Sequence, residues 1–74
     1  MQPLYAGLAE IFEVEEGQIG PDSVLADYNW DSLAIVSTIA LADETDNVLL
    51  DGASLVACVR AGDIAALIER AKAA

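Results

Sequence analysis

The chain has 74 residues, 13 of them acidic and 3 basic, for a formal net charge of −10. With 55% hydrophobic residues it is too apolar to be a disordered chain, and with so few bases it is poorly equipped to neutralise nucleic-acid phosphates or to bind an anionic membrane. At this length it makes one domain, residues 1–74, burying about 60% of its unfolded surface and with little mass to wall in a deep catalytic cleft.

Aromatics make up 5%, and Ala, Leu, Ile and Val supply most of the apolar total, a composition that favours an all-α bundle over a sandwich or barrel. In chain order, Pro3 suits a first helical turn, and Leu4, Leu8, Ile11 and Phe12 fall at i, i+4, i+7 and i+8, which predicts a helix over Pro3 to Phe12. Breakers follow: Glu15, Glu16, Gly17, Gly20, Pro21, Asp22 and Ser23 make Glu13 to Trp30 a long loop, tacked down by Ile19, Val24 and Leu25. A second helix is predicted from Asp31, a good N-cap, to Glu44, with Val36, Ile39 and Ala40 on one face and Ile35 beside them. Thr45, Asp46 and Asn47 read as its stop. A short helix or turn is predicted near Gly52 to Cys58, with Leu50, Leu55 and Val56 packing. The last helix is predicted from Asp63 to Ala73, with Ile64, Leu67, Ile68 and Ala71 at i, i+3, i+4 and i+7. Arg70 and Lys72 suit its C-terminal dipole, and Ala73 and Ala74 are expected to fray. The sum is a four-helix bundle: three main helices, one short helix and a long first loop.

The acidity suits solubility and attraction to basic partners. The single cysteine, Cys58, allows no disulfide within the chain and fits a reducing cytoplasm. Met1 to Ala9 has neither the basic start nor the apolar run of a signal peptide, and the nearly apolar stretch Leu33 to Ala42 is far short of the roughly 20 residues of a membrane span.

Much chemistry is excluded. Without histidine there is no Ser-His-Asp or Cys-His arrangement, and a lone cysteine with carboxylates is a poor zinc set. There is no phosphate loop of the GxxxxGK[ST] kind and no EF-hand spacing. No general base stands out, so the chain is read as a non-enzyme. Cys58, between Ala57 and Val59 with Arg60 as its only nearby base, reads as structural rather than reactive. Trp30, just before the N-cap, reads as an anchor for the loop-to-helix corner.

Ser32 is the residue of interest. Serine at a helix start commonly helps to satisfy free N–H groups. Asp31 already offers a capping oxygen, which frees Ser32 on the first turn. That turn also tolerates an anion, because free amides and the positive end of the helix dipole lie there.

On these residues the chain resembles the acyl carrier protein family. The resemblance lies in Asp31-Ser32-Leu33 after a long loop, an apolar helix ending in Asp43-Glu44, and Gly62-Asp63-Ile64 at the last helix. It spans essentially the whole chain in length, acidity and helix order. It implies that Ser32 carries 4′-phosphopantetheine through a phosphodiester installed by a phosphopantetheinyl transferase. The arm's thiol then holds an acyl group as a thioester, shuttled among enzymes such as a ligase, acyltransferase or ketosynthase. A cytoplasmic monomer without a bound metal is expected.

Departures from the family pattern are informative. Typical fatty-acid-synthesis carriers bear acids two and five residues after the serine, where this chain has Ala34 and Ser37. The recognition helix is therefore expected to present Leu33, Ala34, Ser37 and Thr38, with charge from Asp27, Asp31, Asp43 and Glu44. That pattern is similar to stand-alone carriers of specialised bacterial pathways. Asn29-Trp30-Asp31-Ser32 lacks the Gly-Gly-His-Ser motif of peptidyl carriers. Arg60 stands where a capping threonine is common, which weakens that cap or moves it toward Asp63. The alternative reading is a small acidic interaction or inhibitor protein that uses the same charges without a prosthetic group.

Overall fold

The apolar periodicities of the first and last helices both close on one core. The computed structural model, which describes residues 2–73, is a compact all-α four-helix bundle of three longer helices and one short one. They are α1 (Gln2–Phe12), α2 (Ser32–Asp46), α3 (Gly52–Val56) and α4 (Ala61–Ala73). Leu4 and Leu8 of α1, Leu55 of α3, and Ile64 and Ile68 of α4 are fully buried. Each such side chain contributes about 1.5–3 kcal/mol by leaving water.

The α2 face differs from the expected one. Its buried row is Ala34, Thr38 and Ala42, while Ile35, Ile39 and Leu41 are half-buried and Val36 and Ala40 are exposed. Leu41 takes the space beside Gly7, where a Cβ would come within 2.5 Å of its side chain, and the small residues Ala34, Thr38 and Ala42 form the inner row. Thr38 tolerates burial because its hydroxyl donates to the Ala34 carbonyl at 2.8 Å.

Helix ends also move. Thr45 and Asp46 are helical rather than a stop, and the Thr45 hydroxyl donates back to the Leu41 carbonyl at 2.9 Å. Asn47, at φ 54°, turns the chain out through a left-handed cap. Glu13 takes the same conformation after α1 (φ 58°), where the Val14 amide reaches the Ala9 carbonyl at 2.9 Å. The short helix stops at Val56 rather than Cys58, and Val56 is exposed rather than packed. Ala73 ends α4, and Ala74 of the expected frayed end lies outside the described residues.

The long loop is not slack. It holds two 3₁₀ turns, Glu16–Gln18 and Leu25–Asp27, and buries Ile19 and Leu25. Three backbone hydrogen bonds, each 2.9 Å, fasten it across the start of α4: Leu25 N–H to Val59 O, Ala61 N–H to Ser23 O, and Gly62 N–H to Pro21 O. Only glycine fits at position 62, since a Cβ there would sit 2.8 Å from the Pro21 carbonyl oxygen. At the far end, Lys72 of α4 pairs with Asp46 of α2 at 3.4 Å. No helix among the described residues is long and apolar enough to cross a membrane.

Candidate functional site

The chain enters α2 through an aromatic clamp. Tyr28 stacks on Phe12 with ring centroids 4.9 Å apart, and Trp30 meets the same ring edge-on at 6.2 Å. The Trp30 indole N–H donates to the Leu55 carbonyl at 3.3 Å, which ties the corner to α3. Asp31 follows in extended backbone, and its Oδ1 accepts the Ala34 amide at 3.0 Å as an N-cap. The helical ladder starts with the Ile35 amide on the Asp31 carbonyl, also at 3.0 Å.

Ser32 is therefore the first helical residue, and it is exposed. Among the described residues its hydroxyl makes no hydrogen bond, and the amides of Ser32 and Leu33 have no protein acceptor. A hydroxyl at this position is open to modification, and the two amides favour an anion beside it.

The other residues singled out in the sequence divide into two groups. Leu33, at 73% exposure, stands in solvent beside Ser32. Asp43 and Glu44 are exposed near the far end of α2, roughly 16 Å along the axis from Ser32. Ser37 is half-buried. Ala34 and Thr38, however, lie on the buried row and present nothing to a partner. They share that row with Ala42, one helical turn further on.

Val36 takes the place of those two. It is 61% exposed, one turn beyond Ser32 on the same side of the helix. The i, i+4 spacing from Ser32 could have found it, had the helix been phased from the serine rather than from its apolar content. Val56 and Val59, in α3 and just after it, are exposed apolar residues of the same kind.

Two concavities open nearby. A cleft of about 190 Å³ lies between the end of α1 and the start of α2, and Asp31, Leu33, Ala34 and Ser37 contribute to its lining. A wider open groove of about 720 Å³ lies around Glu10, Glu13, Glu15 and Glu16, and Glu13 lines both. Among the described residues no group of three or more potential ligands is placed to hold a metal ion.

The electrostatics near the bundle's other helix starts are local. Asp51 caps α3 by accepting from Ala53 and Ser54, and the Ser54 hydroxyl and amide together with the Ala53 amide hold its carboxyl below the usual aspartate value. Asp63 accepts from the Arg60 and Val59 amides at 2.9 Å each, and these bonds lower its pKa too. At Cys58, burial and then the Asp63 charge push the thiol up, and its Sγ–H donates to the Ser54 carbonyl at 3.4 Å. A protonated, half-buried thiol of this kind is a packing group rather than a nucleophile. Compared with family models, curated proteins and solved structures, the chain gives no match.

Proposed function

We propose that this chain is an acyl carrier: Ser32 bears a 4′-phosphopantetheine arm, and the arm's thiol holds an acyl group as a thioester for transfer between enzymes. One observation carries the reading. The Ser32 hydroxyl is exposed and unbonded on a helix start whose capping is done by Asp31. The chemistry of the position fits the group. A phosphodiester on Oγ would lie beside the unpartnered amides of Ser32 and Leu33 and at the positive end of a 15-residue helix. The four-helix arrangement is also the one expected of an acyl-carrier bundle.

The partners on this reading are a phosphopantetheinyl transferase and enzymes that load or accept acyl groups, such as a ligase, an acyltransferase or a ketosynthase. Leu33 and Val36 offer them apolar contact next to the serine, and Asp43 and Glu44 offer charge farther along. Because neither Ala34 nor Ser37 supplies a carboxylate, a specialised pathway suits this surface better than housekeeping fatty-acid synthesis. The chain's own part is to hold and present the arm rather than to catalyse a reaction.

Intact mass of the protein co-expressed with broad-specificity phosphopantetheinyl transferases tests the reading. The expected result is one arm per chain, lost completely in Ser32→Ala. Wild-type protein that stays unmodified with several such transferases would overturn it and favour the acidic interaction protein.

A further inference from the structure

Asp31 and Leu33, the chain neighbours of Ser32, line the cleft of about 190 Å³ at the α1–α2 junction, and Ser32 stands outside the lining at its helix-start end. Ala34 forms its buried floor. Ile11 and Ser37 are half-buried lining residues, and Asn29 and Glu13 lie at its exposed rim. The lining therefore joins apolar carbon to two carboxylate acceptors and to a hydroxyl and a side-chain amide that both donate and accept. An anionic ligand is repelled from it. A neutral group with methyls and hydrogen-bond donors fits.

Size narrows the choice. A water-sized group takes about 30 Å³, so the cleft holds roughly six non-hydrogen atoms. Immediately beyond the phosphate, a pantetheine arm has one segment of that size, the CH₂–C(CH₃)₂–CH(OH) unit, followed by an amide carbonyl and its N–H.

We propose that this cleft is the resting seat of the dimethyl-carbinol segment of the arm on Ser32. The proposal rests on the carrier reading. The two methyls match Ile11, Leu33 and Ala34, and the hydroxyl has Ser37 and Asn29 as partners. The amide N–H that follows has the rim carboxylates of Glu13 and Asp31. The cleft is filled by that segment alone, so it has no room for an acyl cargo as well. Partners then meet an arm lifted from the α1 side.

The test compares isotope-labelled apo and holo protein by NMR, with attachment first verified by mass. The expected result is shift changes at Ile11, Asn29 and Ser37, with nuclear Overhauser contacts from the arm's methyls to the Ile11 methyls. Ser37→Phe fills the cleft and, in chains whose attachment at Ser32 is verified by mass, should weaken those contacts at least fivefold. Asn29→Ala, in an exposed loop, should at least halve the shift change at Ile11 without disturbing the fold. Failure of attachment overturns the carrier reading and this one with it. Attachment with methyl contacts to Val56 and Val59, or with none, overturns this one alone.

Discussion

The starts of α2 and α4 solve one physical problem in opposite ways. Each helix begins with backbone amides that have no partner inside the helix. At α4 the protein closes them: the Ser23 and Pro21 carbonyls take the Ala61 and Gly62 amides, and Asp63 reaches back to those of Arg60 and Val59. At α2 only the Ala34 amide is taken, by Asp31, and those of Ser32 and Leu33 are left to solvent. The difference separates a start built for rigidity from one with room for an anion. It also explains how an arginine is tolerated at position 60. The cap expected of a threonine there is supplied from the other side by Asp63 and by the loop.

The largest test of this contrast is Gly62→Ala. The added methyl would meet the Pro21 carbonyl and open the fastening, at a cost of about 1–3 kcal/mol. A drop in Tm of several degrees in thermal denaturation is the expected readout. An unchanged Tm would show that the loop yields and that the closed start is not rigid.

Next in size is Asp31→Ala. It removes the one cap of the open start and should cost about 1 kcal/mol in urea unfolding. A loss under a few tenths would mean that solvent caps α2 as well as Asp31 does.

The smallest effect is a pH dependence. The folded Asp63 carboxyl lies below its ordinary value of 3.8 because it accepts the Arg60 and Val59 amides. Its contribution is therefore present above about pH 4 and is lost as pH falls through the lowered folded value. The Tm gap between wild type and Asp63→Asn should narrow between pH 6 and pH 3. A gap constant over that range would assign the closed start to the loop carbonyls alone.

Helices α1 and α4 were legible in the sequence because their apolar residues recur on one side, and Leu4, Leu8, Ile64 and Ile68 are all fully buried. Asp31 as the N-cap of α2 was legible from its residue type and place. The inward face of α2 was not. Apolar residues lie all around that helix, so their spacing marks no side, and the inner row consists of small residues. The deciding information, Gly7 opposite Leu41, belongs to another helix 34 positions away. The same holds for the start of α4. No local signal shows that the carbonyls of Pro21 and Ser23 will serve amides some 40 residues later. At the site, Ser32, Leu33 and the distal acids were legible as exposed positions. Ala34 and Thr38 were misplaced, and Val36 was missed, because all three depend on that phase.

The chain has a single tryptophan, two residues before Ser32. Its indole is bonded to the Leu55 carbonyl and set edge-on against Phe12. Any event at the serine that shifts α3 or loosens this corner must alter that bond or that ring contact. The protein thus carries its own fluorophore at the point of interest, and its emission can follow modification or docking in unlabelled material.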